Sequence, residues 1–171
     1  MATNLEFIKS VSGTSVSSLS VTDSFSANYD VYEVTATFDK STSASNWSSL
    51  RFIDSGGSVI SASEYDYASL TLLSYASFPE EKGTSQTRIS RVNFLHTSLV
   101  GGDTKFTIYN PYDSSSYTFT NFQNVSSTSG NMFGGKVIGV HKSAEQITGL
   151  NIVGDSAYTF DNITVNVYGV K

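Results

Sequence analysis

The sequence predicts an all-β protein, a single antiparallel β-sandwich of jelly-roll-like form with about ten short strands. Two observations lead to this prediction. Apolar and polar residues alternate with a period of two along most of the chain, whereas helical periodicity is almost absent. Clusters of glycine, asparagine, aspartate and serine separate the alternating segments, as turn residues do.

The amino-terminal part supplies the first candidate strands. Residues 1–12 are either a first strand or an extended arm that pairs with the sheet edge of a neighbour. The segment VYEVTATF at 31–38 alternates regularly and is predicted to be a strand. The segment 49–60 is predicted to form two short strands, joined at Gly56 and Gly57, because glycine tolerates the positive φ of a hairpin turn.

The remaining candidate strands follow at close spacing, with turn signals such as GGD and NPYD between them. They are the segments 65–75, 87–95, 105–110, 117–122, 136–142 and 147–153. The longest predicted loops are 39–48, 76–86 and 123–135. Loops carry most binding residues, so a small ligand would be sought there.

The chain ends on its most regular strand pattern, in which one face is apolar and the other is polar but uncharged. The first face carries Ile163, Val165 and Val167, and the second carries Asn162, Thr164, Asn166 and Tyr168. The apolar face is predicted to be buried. The polar face is suited to hydrogen bonding with a second sheet or subunit, since no charge would have to be desolvated.

Length and composition limit the function. A chain of 171 residues can bury about 70% of its unfolded surface, which is enough for one domain over residues 1–171. The absence of cysteine excludes disulfides and cysteine-based metal sites. The net charge of −5 and the scattered Lys and Arg argue against nucleic acid as a partner. Neither a membrane-spanning run nor an export signal is recognisable.

Only 15% of the residues are charged, against a usual share of about 25%. Serine, threonine and asparagine fill the polar positions instead. This composition fits a protein that is covered by neighbours or that works outside a cell. The plainer interpretation is that these residues occupy exposed strand positions and loops.

No set of residues predicts a reaction, a cofactor or a metal site. His96 and His141 lie beside strand segments without metal-ligand spacing and are expected to be strand-end side chains held by hydrogen bonds. Glu80 and Glu81 lie in a predicted loop, as solvated charges. The chain is therefore predicted to be non-enzymatic. A glycosidase or esterase is a third hypothesis, because β-sandwiches accept grafted catalytic groups.

Aromatic residues are the candidate ligand contacts. Trp47 is the only tryptophan and lies in the polar segment STSASNWSSLR, where an exposed indole would stack on a sugar or anchor a protein contact. The alternative is a ring that folds back over the core. Tyr65 and Tyr67 raise the same two alternatives. These three residues and the polar face of the last strand are the predicted contact residues.

The stretch AEQITGLNIVGDSAYTFDNITVNVYGVK at 144–171 resembles one that recurs in virion proteins of tailed bacteriophages, especially marine and cyanobacterial phages. There, an "itGi.i" strand, a short turn and an "f..g.i.vYGik" strand close a β-sandwich. The matching residues are Ile147, Thr148, Gly149, Leu150, Ile152, Phe160, Ile163, Val165, Tyr168, Gly169 and Lys171. Asn162 replaces an expected glycine. The segment YDVYEVTATF is similar to one near the start of such modules.

The resemblance implies a structural subunit on the virion exterior, assembled in the host cytoplasm. Its partners would be other virion proteins, of the capsid or the tail, and copies of itself in a homotrimer. Because no shaft-like repeat precedes the first strand pattern, capsid decoration is favoured over a fibre-type appendage. The alternative is a carbohydrate- or receptor-binding module of a tail fibre or tip, with a host-surface glycan as its ligand.

Overall fold

The computed structural model describes residues 4–39, 46–96, 99–128, 130–155 and 159–171. Within these ranges twelve strands and no helix are found, and so no helix with the length and apolarity to cross a membrane. The strands are β1 (Leu5–Val16), β2 (Ser18–Val21), β3 (Val31–Phe38), β4 (Asn46–Asp54), β5 (Tyr65–Leu73), β6 (Glu80–Gln86), β7 (Phe94–Leu95), β8 (Leu99–Tyr109), β9 (Thr118–Thr128), β10 (Asn131–His141), β11 (Ile147–Gly154) and β12 (Phe160–Val170).

The strands form two antiparallel sheets that pack as a sandwich, which confirms the predicted all-β, jelly-roll-like fold. The larger sheet has eight strands in the order β1-β12-β3-β8-β9-β10-β5-β6. The smaller sheet has four, in the order β2-β11-β4-β7. The chain passes from the larger to the smaller sheet at Ser17, between β1 and β2. Described residues 5–12 lie in β1, which pairs with β12.

One cluster of buried apolar side chains lies between the sheets. In β12, Ile163, Val165 and Val167 are each no more than 1% exposed, which confirms the predicted buried face. In β3 the predicted alternation also holds, with every second residue buried. The largest fully buried side chains are mostly aromatic: Tyr32, Tyr65, Phe38, Phe52, Phe106, Phe122 and Phe160. Their burial supplies much of the apolar area that stabilises the fold.

The predicted strand at 87–95 is largely wrong, since only Phe94–Leu95 forms a strand. The segment before it still runs beside β4. Ile89 and Leu50 exchange two backbone hydrogen bonds of 2.9 and 2.8 Å. Arg91 then adopts a left-handed backbone with φ 71°, which lies outside the extended conformation of a regular strand. Regular pairing is interrupted there.

The three predicted loops are also mostly wrong. Residues 80–86 of the segment 76–86 form β6, an edge strand of the larger sheet. The segment 123–135 contains the ends of β9 and β10, which form a hairpin. Of the segment 39–48, residues 46–48 belong to β4, and 40–45 lie outside the described residues. The expectation that a small ligand would bind in these loops therefore loses most of its structural support.

Candidate functional site

The outer face of the eight-stranded sheet, which points away from the smaller sheet, is the largest surface that the fold presents in a regular array. Its residues alternate along each strand with those of the core. The half formed by β1, β12, β3 and β8 is polar, and the half formed by β9, β10 and β5 is mainly apolar. The side chains of the two halves therefore make different kinds of contact.

The polar half contains a network of side-chain hydrogen bonds across neighbouring strands. The hydroxyl oxygens of Ser12 and Thr164 are 2.8 Å apart, and Thr14 Oγ1 donates to Asn162 Oδ1 at 3.0 Å. Asn166 Nδ2 donates to Thr35 Oγ1 at 3.3 Å. The predicted contact residues Asn162, Thr164 and Asn166 therefore bond within their own sheet. Each of these side chains thus already makes a hydrogen bond within the chain.

Tyr168, the fourth residue of that polar face, lies near the end of β12. Its ring packs edge-on against Phe7 of β1, with ring centroids 5.7 Å apart. Phe7 is 59% exposed, so this pair presents apolar surface at one end of the sheet. On the next strands, Lys105 Nζ lies 2.7 Å from Glu33 Oε2, and Thr107 donates to the same carboxylate at 3.0 Å.

Exposed apolar side chains cover the other half of the outer face. We call this surface the outer patch and define it by Ala68 of β5, Tyr109 of β8, Phe119 of β9, and Ile138 and Val140 of β10. Ile138 is 65% exposed and Phe119 46% exposed. Solvated faces of antiparallel sheets normally carry polar side chains. An apolar cluster on inner strands of an open sheet face is therefore a candidate interaction site.

The outer patch lines a groove with a volume of about 540 Å³. Charged residues of both signs border it. Lys82 of β6 lines the groove, and Lys136 of β10 and Glu80 of β6 lie next to Ile138. The surface thus has an apolar centre and a mixed, polar rim, which is the usual anatomy of a protein–protein interface.

Trp47 does not lie in a loop, as the sequence predicted, but in β4. With Tyr67, Glu81, Arg91 and other residues it lines a pocket of about 280 Å³. The Arg91 guanidinium lies over the indole, 4.5 Å from the ring centroid, and is paired with Glu81. Desolvation lowers the pKa of Arg91. Because the guanidinium covers one face of the indole, a sugar could stack there only by displacing it.

Tyr65 and Tyr67, the other aromatic candidates, differ in how deeply they are buried. Tyr65 is fully buried, so the prediction that it contacts a ligand at the surface is wrong. Its hydroxyl accepts from the Phe52 amide at 3.1 Å and donates to the Ile60 carbonyl at 3.2 Å. Burial raises its pKa. Tyr67 is half-buried, and its hydroxyl donates to Glu81 at 2.7 Å.

A histidine and two carboxylates meet where β10 ends. His141 is fully buried, and its Nε2 lies 3.2 Å from Glu64 Oε2 and 3.6 Å from Glu145 Oε1. The expectation that hydrogen bonds satisfy this histidine holds only for Nε2, since Nδ1 has no hydrogen-bond partner among the described residues. One nitrogen and two carboxylate oxygens are a ligand set that a divalent transition metal accepts.

This cluster does not fit the glycosidase hypothesis. Two catalytic carboxyl groups must leave room between them for the scissile bond. Here the imidazole of His141 lies within 3.6 Å of both carboxylates and fills that space. The sequence does not predict this cluster, because Glu64 is brought to His141 only by the pairing of β10 with β5.

No protein-family model and no curated protein matches the chain. Among solved structures, it is similar to an exo-inulinase from Aspergillus awamori, with a TM-score of 0.40, 10% identity and coverage of 98% of this chain and 29% of that one. It is also similar to the C2A domain of a plant extended synaptotagmin 1 (TM-score 0.18, 10% identity, coverage 84% and 96%). A third is infectious bursal disease virus, Gx strain (TM-score 0.15, 8% identity, coverage 97% and 35%). These TM-scores are low, so no functional conclusion follows from them.

Proposed function

We propose that this chain is a non-enzymatic structural protein of the exterior of a tailed-phage virion, a capsid decoration or fibre-type appendage subunit. It acts through protein–protein contacts made by the outer patch. The observation that supports contact through this surface is the exposure of Ile138 and Phe119 on two inner strands, β10 and β9, of an eight-stranded sheet. The resemblance of residues 144–171 to virion proteins supports the proposed place on a virion.

The contrast between the two halves of the outer face strengthens this proposal. In the polar half, hydroxyl and amide groups bond to one another across β1, β12 and β3. In the outer patch, apolar side chains face the solvent. Burial of apolar surface stabilises an interface by about 25 cal/mol per Å². The outer patch is therefore the part of this face whose burial yields the largest gain in free energy.

A second copy of the chain is the proposed occupant of the outer patch. The rim carries Lys82 and Lys136 together with Glu80, so a second copy can pair charges of opposite sign. Soluble oligomers usually have closed symmetry, and in the homotrimer that the resemblance implies the outer patch of each copy would contact a different surface of the next copy. A stable contact buries about 800 Å² on each partner, so it must extend from the outer patch over neighbouring residues.

The substitution Ile138→Asp should abolish self-association and leave the fold intact. Ile138 is 65% exposed, so the free energy of unfolding should change by less than about 1 kcal/mol. In the interface, an unpaired carboxylate would be desolvated at a cost of several kcal/mol. Sedimentation velocity over a range of protein concentrations measures the result.

The matched control is Thr164→Asp, which adds the same charge to the outer face but in its polar half. It should associate as the wild type does. A wild-type chain that remains monomeric at the highest concentration would contradict self-association through the outer patch. Equal loss of association in both variants would contradict the location of the contact.

A further inference from the structure

We infer that Glu64, His141 and Glu145 bind one divalent transition-metal ion, with Zn²⁺ as the best match. This inference does not depend on the proposed function. The three side chains come from separate parts of the fold. His141 ends β10, Glu64 immediately precedes β5, and Glu145 lies just before β11.

The distances between the candidate ligand atoms fit a tetrahedral ion. Zn²⁺ binds nitrogen and carboxylate oxygen at about 2.0–2.2 Å, which places neighbouring ligand atoms of a tetrahedron roughly 3.3–3.5 Å apart. From His141 Nε2 the distances are 3.2 Å to Glu64 and 3.6 Å to Glu145. All three ligand atoms lie within 4.8 Å of one another. Small rotations of the two carboxylates would complete the geometry.

The histidine is held in place before any ion binds. Its ring lies 4.9 Å from the ring of Tyr65 and 6.2 Å from that of Phe52, between centroids. The Lys142 amide donates to the Glu64 carbonyl at 2.8 Å, which fixes the backbone of one carboxylate next to the histidine. Ligands that are already ordered lose little conformational entropy when the ion binds.

The charges of the cluster also favour a cation. Two carboxylates that converge on one imidazole repel each other, and a divalent ion would neutralise both. Lys142, the nearest lysine in sequence, is paired with Asp66 at 2.8 Å. The imidazole nitrogen favours Zn²⁺ over Ca²⁺ and Mg²⁺, which prefer oxygen ligands.

The exposure of the two carboxylates predicts a metal site that is open to solvent on one side. The side chains of Glu64 and Glu145 are 38% and 35% exposed, whereas that of His141 is fully buried. An ion between them would have three protein ligands and a fourth position that is open to water. It would also cross-link the segments before β5 and β11 at one end of the sandwich, and so stabilise the folded chain.

The test is isothermal titration of ZnCl₂ into the full chain without a polyhistidine tag, after treatment with EDTA. We expect one ion per chain and a rise in Tm that EDTA reverses. Glu145→Gln should weaken binding by more than the roughly 10- to 100-fold that loss of an outer partner causes. Glu80→Gln, which removes an exposed carboxylate on β6, should bind Zn²⁺ as the wild type does.

Two results would overturn the inference. One is the absence of saturable binding at one ion per chain. The other is equal binding by the Glu145→Gln and Glu80→Gln variants, which would place the ion elsewhere. An equal Tm of Glu145→Gln and the wild type in EDTA shows that the variant is folded. A titration with CaCl₂ should give much weaker binding, and binding as tight as that of Zn²⁺ would contradict the assigned metal class.

Discussion

Replacing Val165 with aspartate should unfold the protein at room temperature. Val165 is fully buried in β12, and its cross-strand neighbours are Val11 and Ala36. The substitution would remove apolar contacts and place an unpaired carboxylate in the core, at a cost of several kcal/mol. The total stability of a domain is only about 5–15 kcal/mol. The thermal transition in the circular dichroism signal should therefore be lost or strongly lowered.

Thr164→Asp is the matched control, because Thr164 is the preceding residue and lies on the opposite face of β12. Its hydroxyl bonds to Ser12 at the surface, so its loss should cost about 1 kcal/mol. A cooperative transition close to that of the wild type is expected. If both variants were equally destabilised, the assignment of the two faces of β12 would be wrong.

Gly149→Ala should lower the free energy of unfolding by roughly 3 kcal/mol, at the upper end of what overpacking costs. A Cβ atom at this position would lie 2.3 Å from the Val21 carbonyl oxygen and 3.1 Å from the Thr22 Cα. These are backbone atoms, which cannot rotate away as the end of a side chain can. Equilibrium unfolding in urea measures the loss.

Gly56→Ala is the control for this substitution. Gly56 lies in the turn after β4, and its added Cβ would approach only the Asp54 side chain, at 3.2 Å. A side chain can move, so a change of less than about 1 kcal/mol is expected. An equal loss of stability in the two alanine variants would contradict the close approach of β2 and β11.

The same steric argument accounts for two glycines of the carboxyl-terminal strands. Gly149 and Gly169 are both positions of the matching motif, and a Cβ at Gly169 would lie 2.6 Å from the ring of Tyr29. Both glycines are required because another segment lies directly on the backbone. The packing of a sandwich accounts for these two positions, and the phage assignment stays a prediction.

Alternation in the sequence predicted the strands whose two faces meet different surroundings. In β12 and β3 one face packs in the core and the other lies in the polar network, so a period of two is visible. The period is lost in β6, an edge strand with the sequence EEKGTSQ in which no residue is buried. Edge strands commonly carry charged residues, and their sequences resemble loops for that reason.

Buried polar residues obscure the second half of β9, whose first half is predicted as a strand at 117–122. In β9, Asn124 and Ser126 point into the sandwich and are 7% and 4% exposed. Asn124 Nδ2 donates to the Arg91 carbonyl at 2.9 Å, which offsets the cost of its burial. A polar residue that faces inward interrupts the alternation of apolar and polar residues, so its segment resembles a loop in a hydrophobicity pattern. The alternation that predicts a strand therefore stops before the segment 123–135, although this segment contains the end of β9 and the start of β10.

The sequence does not predict the outer patch or the histidine–carboxylate cluster, and the reason is a different one. The segment KVIGVHK predicts a strand, but its apolar residues fall on both faces, with Val137 buried and Ile138 exposed. Which apolar residues face outward depends on how the sheets stack. The Glu64, His141 and Glu145 cluster depends on the register of β10 with β5, which pairs His141 with Tyr65. Neither the stacking nor the register can be read from one sequence.

The solvent accessibility of the outer patch in the assembled protein tests the central claim most directly. The chain has no cysteine, so Ile138→Cys introduces a single thiol whose rate of alkylation can be measured. Ser55→Cys, in the exposed turn after β4, is the reference. We expect alkylation at position 138 to be several-fold slower in the concentrated, assembled protein than in dilute protein, with no change at position 55. Equal rates at position 138 in both states would show that the outer patch stays in water and would contradict the account.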